Sequence, residues 1–489
     1  KQLFFNWNPT GAPADSMYYI SGNNMVPVKA GPQLVRETVW ANSVVYNSTR
    51  TAYAYAKNTD IYYHDLKTST TKRIIASSDF EYAPQFSFND QKLVYTRNQN
   101  LYAWDIKTGE TEQLTRIQPG SSRQGGRDRA DNDNEQEKWL RKDQLAWFEV
   151  LKQRKEKKEA TEAYNKATKE KEMRSIGIDD KNMQSLNISP DGRFVSYRLF
   201  KSASGNKGSI VPDYVTESGF TTDLPARTKV GEQQGTYEFF VYDRLADTVF
   251  SLKPDSLPGI KDLPDYVQDY PKQLEERQKK NATRAVSWSS AGWSPNGKYL
   301  LLDIRSQDNK DRWLAVWDVA AQQLKTLDRE RNEAWIGGPG NFNRGWLGAE
   351  KVWFQSEATG YSHLYTIDIP TAAKKQITSG AYEVQTAELS NDKKYFYITT
   401  NEVHPGEKHF YRLVIADGKK EKLTTLTGSN TAALSPDEKR FGLVYSYSNR
   451  PPELFMQDNK AGAKMMAITD KAQSAEFRSY NWKEPEVIS

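Results

Sequence analysis

Hydrophobic and polar positions alternate along most of this chain in short runs, and one recurring turn punctuates them. Ser189-Pro190-Asp191-Gly192-Arg193-Phe194-Val195 returns as Ser294-Pro295-Asn296-Gly297-Lys298-Tyr299-Leu300 and, without its glycine, as Ser435-Pro436-Asp437-Glu438-Lys439-Arg440-Phe441. Proline presets such a turn, glycine supplies a positive φ, and the alternating run that follows is a half-buried strand, so the motif predicts a β-hairpin. Looser copies stand at residues 87–95 and 390–398. A second signature follows: apolar-x-apolar-x-Asp, a short turn, then a polar segment closing on a hydrophobic residue, as in Leu101-Tyr102-Ala103-Trp104-Asp105 running on to Leu114. It recurs over 61–74, 239–252, 314–327, 364–377 and 410–423. Two hairpins per unit make a four-stranded antiparallel sheet, and a repeated sheet of that kind is a propeller blade.

The units fall near residues 40–75, 80–115, 183–252, 284–327, 346–378, 385–424 and 430–468, with a degenerate one before residue 36. The expected fold is therefore all-β, a propeller of seven to eight four-stranded antiparallel blades, with eight preferred. The unit opening at Trp346 has exchanged its Ser-Pro-Asp turn for another hairpin but keeps the alternation. One propeller domain over residues 1–480 absorbs most of the length, with two insertions. The first, about 118–181, opens with a Gly/Ser/Arg-rich loop and turns helical from Glu135, with Leu140, Trp147, Phe148 and Leu151 on one face and a highly charged run from 152 to 172. It reads either as a solvated helical arm or as a lid or partner-binding element. The second, about 255–281, is rich in Pro, Asp, Gln and Lys and offers no chemistry.

Composition narrows the function. The net charge of +5 is small for 489 residues and both signs are interleaved, so charge makes no case for nucleic acid. The absence of cysteine excludes disulfides, thiolate catalysis and sulfur-ligated metals. No run approaches a membrane span. A chain opening at Lys1-Gln2-Leu3 resembles a processed product, which leaves an exported origin open.

Catalytic chemistry is scarce. No Gly-x-Ser-x-Gly elbow occurs, and Gly360-Tyr361-Ser362-His363 lacks the closing glycine. A Ser-His-Asp triad would have to draw on His64, His363, His404 or His409, and none has an identifiable activated serine. His404 and His409 lack carboxylates in ligand-like order, so no metal is assigned, and no motif implies a cofactor. His363, at a strand start, is expected to hydrogen-bond the adjacent turn. The residues describe a scaffold.

The segment Phe354-Gln355-Ser356-Glu357-Ala358-Thr359-Gly360-Tyr361-Ser362-His363-Leu364-Tyr365 resembles a characteristic stretch of the dipeptidyl peptidase IV family, in the prolyl oligopeptidase clan of serine peptidases. Trp293-Ser294-Pro295-Asn296-Gly297-Lys298, residues 224–231 leading into 239–243, and Tyr480-Asn481-Trp482-Lys483-Glu484-Pro485-Glu486 extend the likeness over nearly the whole chain. The resemblance implies an eight-bladed propeller that restricts access to a C-terminal α/β-hydrolase domain, with residues 481–489 as the start of the linker to it. The family's Ser, Asp and His would lie in that absent domain, so no catalytic residue is assigned to this chain.

The family's exopeptidase branch binds the substrate's α-amino group with two adjacent glutamates on a helical insertion. The arm from Glu135 to Glu172 contains no such pair. Glu135, Glu137 and Glu149 are the candidate amine-binding carboxylates, Glu149 foremost because it follows Trp147-Phe148. The family arginine from an early blade also has no match, since Ala52-Tyr53-Ala54-Tyr55-Ala56 occupies the comparable strand. The expected function is substrate gating for an exported, periplasmic or extracellular serine peptidase that removes short N-terminal peptides after Pro or Ala. Its partners are a peptide and the hydrolase domain, with a homodimer of the full-length form left open. A free-standing periplasmic protein-binding propeller of TolB-like type is the alternative.

Overall fold

Each Ser-Pro-Asp turn closes the same way in the computed structural model, which describes residues 2–40, 43–120, 135–147, 149–168, 172–205, 207–229 and 231–486. The serine hydroxyl accepts the N–H five residues on, from Phe194 (2.9 Å), Tyr299 (3.0 Å), Tyr395 (3.0 Å) and Arg440 (3.1 Å). It donates to the side chain two residues on: Asp191, Asn296 (2.8 Å), Asp392 (2.7 Å) and Asp437 (2.7 Å). The second signature is equally local. Four of the aspartates that end third strands, Asp65, Asp105, Asp243 and Asp318, each accept two N–H groups of their own turn, as Asp105 does from Lys107 (2.9 Å) and Thr108 (2.8 Å). Asp243 repeats this with Leu245 (3.0 Å) and Ala246 (3.1 Å).

The hairpins assemble into eight blades spanning residues 2–29, 44–73, 81–113, 182–252, 286–331, 344–376, 384–422 and 429–467. Blades 2 to 8 are four-stranded antiparallel sheets. Blade 1, the expected degenerate unit, has three strands, Gln2–Trp7, Ser16–Ser21 and Asn24–Lys29. Helices Glu135–Trp147 and Glu149–Thr168 lie in the first insertion, and Pro271–Lys280 in the second. Between the second and third strands of blade 4 a side hairpin pairs Val211–Asp213 with Thr222–Leu224.

The core is divided among the seams between blades. Val94, Leu101 and Leu114 of blade 3 meet Ile188, Val195 and Tyr197 of blade 4, while Trp288, Trp313 and Trp317 of blade 5 meet Phe194 and Phe239 of blade 4. Seven such clusters follow the ring from the seam of blades 2 and 3 round to that of blades 8 and 1. The closing seam joins Leu3, Phe5 and Ile20 of blade 1 to Leu454, Met456 and Ile468. Arg440 clasps it, donating to the Gly22 carbonyl (3.1 Å) and Asn23 Oδ1 (2.8 Å). Among the described residues no comparable cluster crosses the seam of blades 1 and 2. Among the described residues no strand is shared between first and last blades, and their closure there rests on this packing.

Replacing buried Ile20 with Ala should therefore cost about 2–5 kcal/mol of local stability. Hydrogen exchange should accelerate across residues 2–29 while strands Tyr299–Ser306 and Asp311–Asp318 stay protected; uniform acceleration over all blades would show that closure is not a separable unit.

Candidate functional site

In a four-stranded meander the first and third connections lie on one face of the ring. The second connection and the crossing to the next blade lie on the other. All Ser-Pro-Asp and aspartate turns occupy the first face. The long connections, residues 114–181, 202–235, 253–285 and 332–343, all leave from the second. The C-terminal segment returns there too: Arg450 pairs with Glu484 (2.7 Å) and Asn449 Nδ2 donates to the Lys483 carbonyl (3.3 Å), at the second turn of blade 8. Phe477 and Trp482 stack at 4.6 Å beside it.

On this face, blades 5 and 6 build a charged cluster from an apolar strand. In Leu300-Leu301-Leu302-Asp303-Ile304 the aspartate is 1% exposed. Its carboxylate accepts Arg312 Nε (2.8 Å) and Arg305 Nε (3.0 Å), with Arg344 Nε at 3.6 Å. Burial opposes its charge, but Arg312, Arg344 and Arg305 outweigh burial and hold the carboxyl below its ordinary range. Arg312 Nη1 donates to the Gln355 carbonyl (2.7 Å), bridging to blade 6. Arg344 donates to Ser289 Oγ (2.7 Å) and to the Phe342 carbonyl (2.6 Å). Arg305 donates to the Asn341 carbonyl (2.5 Å) and lies 3.9 Å over the Phe342 ring.

The cluster thus fixes the loop 335–343. That loop presents two large aromatics to solvent, Trp335 at 70% and Phe342 at 63% exposure. Its other side sits on blade 6. Gly338 and Gly340 have φ of +80° and +70°, and a Cβ there would fall 1.8 Å from Glu357 Oε1 and 2.3 Å from the Gln355 amide. Buried Gln355 accepts from Asn343 Nδ2 (2.7 Å) and donates to the Val384 carbonyl (2.7 Å), while Ser362 Oγ donates to the Pro339 carbonyl (2.7 Å). Beside the loop stand three carboxylates. Glu330 accepts the Glu357 N–H (2.9 Å) and Glu383 the Ser362 N–H (2.6 Å), and burial together with Glu383 and Glu330 pushes the Glu357 carboxyl up. Exposed aromatics beside a negative rim suit an apolar ligand segment carrying positive charge.

A second network, Asp311 with Arg284 (2.6 Å), Arg329 (2.8 Å) and Arg331 (2.7 Å), ties the 253–285 connection to blade 5. His363 has the structural role expected of it. Its Nε2 donates to the Gly380 carbonyl (3.0 Å) and its Nδ1 accepts from Thr378 Oγ1 (3.1 Å), a residue fifteen positions on. Burial lowers its pKa, which favours this neutral ring. His409 and Thr424 repeat the pair at the same spacing in blade 7 (3.3 Å). His404 instead accepts the Gly406 N–H (3.1 Å), and His64 meets Thr71 (2.8 Å), so the four histidines serve separate sites.

Glu135 and Glu137 are exposed in the first turn of Glu135–Trp147. Two positions apart, they point to different sides of the helix. Glu149 opens the next helix, and its side chain lies outside the described residues, as do Phe148, the side chains of Trp147 and Leu151, and the loop 121–134.

The family model for the dipeptidyl peptidase IV N-terminal region matches residues 40–128 and 270–452, more than half of the chain. The chain belongs to that family. Among solved structures, the propeller is similar to dipeptidyl peptidase 4 of Porphyromonas gingivalis, with a TM-score of 0.52 and 14% identity over 95% of this chain. A second match is a putative dipeptidyl aminopeptidase IV of Bacteroides ovatus, with a TM-score of 0.47 and 13% identity over 93% of the chain. The chain spans 57% of the length of each. In this dipeptidyl peptidase IV-type propeller, the segment that carried the resemblance is the second and third strands of blade 6, Lys351–Ser356 and His363–Asp368, with their turn. Its Gln355, Glu357 and Ser362 are the residues against which the aromatic loop packs. Sequence reading missed the Asp303 cluster and Trp335; the available signal was one aspartate inside an otherwise leucine-rich strand.

Because its folded pKa is depressed, Asp303 contributes stability that is present above the ordinary carboxylate range and is lost as pH falls through the folded value. Asp303→Asn leaves buried arginines uncompensated and should cost about 3–5 kcal/mol at pH 7. Urea unfolding should also show a shallower acid loss in the variant than in the wild type; equal midpoints at pH 7 would remove the cluster's structural role.

Proposed function

We propose that this chain is the substrate-gating and orienting propeller of an exported serine peptidase similar to dipeptidyl peptidase IV, with its α/β-hydrolase domain following residue 489. Family membership is the observation that carries the reading. The gathering of every long connection and of residues 480–486 on one face supports it, because a following domain would meet the helical arm and the aromatic loop there. Peptides entering between the two domains would be held by their apolar side chains on Trp335 and Phe342. A free α-amino group would be held by a carboxylate, Glu149 by our assignment, with Glu137 and Glu135 as the other candidates in the arm. The proposed reaction is release of short N-terminal peptides, after Pro or Ala. Placement outside the cytoplasm belongs to the same proposal, and a cleavable apolar leader encoded upstream of Lys1 would test it. A homodimer of the full-length form would have a surface in the side hairpin, where Ile210, Tyr214, Val215 and Phe220 are exposed. Sedimentation of a Tyr214→Glu, Phe220→Glu variant would test that.

A free-standing TolB-like propeller shares the Ser-Pro-Asp-Gly hairpins, and the family match favours the peptidase over it. The deciding experiment reads the open frame beyond the Ser489 codon and assays its product. The expected frame continues for roughly 200 residues with a Gly-x-Ser-x-Gly elbow followed by Asp and His. Its product should cleave dipeptidyl chromogenic substrates, on which the 489-residue chain alone should be silent. Glu149→Gln in the full-length enzyme should raise KM for substrates with a free amine about tenfold and leave N-acetylated ones unchanged. A stop codon after Ser489, or turnover by the propeller alone, would overturn the reading.

A further inference from the structure

Four innermost strands lose register with their neighbours, that of blade 7 and those of three consecutive blades, 3 to 5. Glu81–Ser87, Asn182–Ile188 and Val286–Trp293 each lose register with their neighbour, between Tyr82 and Gln85, Gln184 and Asn187, and Ser290 and Trp293. At two of these bulges a residue with a Cβ is forced into the left-handed region, Ala83 at φ 52° and Ser185 at φ 54°. Strained backbone repeated on adjacent strands is the kind that persists where a site needs it. A cavity of about 300 Å³ opens at these bulges, where the strands line the ring's central channel.

Among the described residues its walls carry no charged side chain, though Arg198 stands behind Gln184. Thr96 Oγ1, paired in register behind Tyr82, is fully buried at the cavity wall without a hydrogen-bond partner. Arg198 Nη2 holds the oxygen of the Gln184 amide (2.8 Å), which leaves that side chain its NH2 as a donor. Asn187 spends its NH2 on the Ser185 carbonyl (3.2 Å), which leaves its oxygen as an acceptor. One fixed donor, one fixed acceptor and a buried hydroxyl match the N–H and C=O of a peptide unit.

We infer that this cavity in the channel wall of blades 3 to 5 is a binding subsite for the uncharged main chain of a peptide, distinct from the aromatic loop at blades 5 and 6. The inference deepens the gating function and rests on it. Titration calorimetry of the 489-residue chain with an N-acetylated, C-amidated Ala-Gly-Ser-Ala peptide tests it, with maltotriose as a neutral polyhydroxyl comparison. The peptide should bind saturably, and Asn187→Leu and Thr96→Val should each weaken it about tenfold, the worth of one hydrogen bond. Thr96→Val should unfold at the same or a higher temperature, since it removes a buried unpartnered hydroxyl, so its loss of binding cannot be misfolding. No heat at millimolar peptide, affinities within twofold for the folded variant, or preference for maltotriose would overturn the subsite. Hydrolysis of a dipeptidyl substrate by the full-length enzyme is scored separately: hydrolysis without capped-peptide binding sinks the subsite alone, and binding without hydrolysis sinks the gating role alone.

Discussion

A twisted sheet with two apolar faces must cover both, and eight such sheets do so only by standing face to face around an axis. That constraint governs everything else in the molecule. It moves the core into the seams, so that Trp288 and Phe239 belong to the contact of blades 4 and 5 rather than to either blade. It also fixes which connections can grow. The Ser-Pro-Asp and aspartate turns are closed by their own side chains on one face, whereas insertions of up to sixty-odd residues, such as 114–181, leave from the other without disturbing a seam.

The same constraint explains which parts were legible in sequence. A turn whose serine bonds residues two and five positions away is written in seven consecutive letters, so the blades could be counted before any tertiary contact was known. The His363–Thr378 and His409–Thr424 pairs are nearly as local, tied by a fixed spacing across one hairpin. Blade 1 was only faintly visible because it lacks the turn and has three strands. The Asp303 cluster was not visible: its partners arrive from strands as far apart as Ser289 and Gln355, and only the seam of blades 5 and 6 brings them together. The helical arm was legible as helix, yet the roles of Glu135, Glu137 and Glu149 depend on what faces them.

The family segment of blade 6 shows how a recognisable motif can mark function without performing it. Ser356, Glu357, Gly360 and Ser362 form a turn, and the chemistry of that turn is to hold a neighbouring loop. With Gln355 filling the space that a side chain at Gly340 would need, and Arg305 stacked under Phe342, the loop 335–343 is pinned on both sides. Two aromatics with most of their surface in water would be a liability on a mobile loop; on a pinned one they form a preorganised surface, and ordering costs little when a partner arrives.

Strain and burial point the same way in the channel. An innermost strand could run straight, as Arg344–Trp346 does in blade 6, and the register of blade 6 is unbroken. Blades 3 and 4 instead bend inward-facing backbone into a left-handed step at Ala83 and Ser185, with no glycine to relieve it, whereas the bulge of blade 5 places Gly292 there at φ 87°. Neither of the bulges at Ala83 and Ser185 sits at the turn face, where local hydrogen bonding would explain it; the second also sets Leu186 into the seam of blades 3 and 4, while Ala83 and Pro84 of the first join no seam cluster. What the bulges change is the wall of the channel, by turning Gln184 and Asn187 toward a common space. Strained backbone steps that recur on adjacent strands and converge on one cavity are accounted for by what the cavity holds.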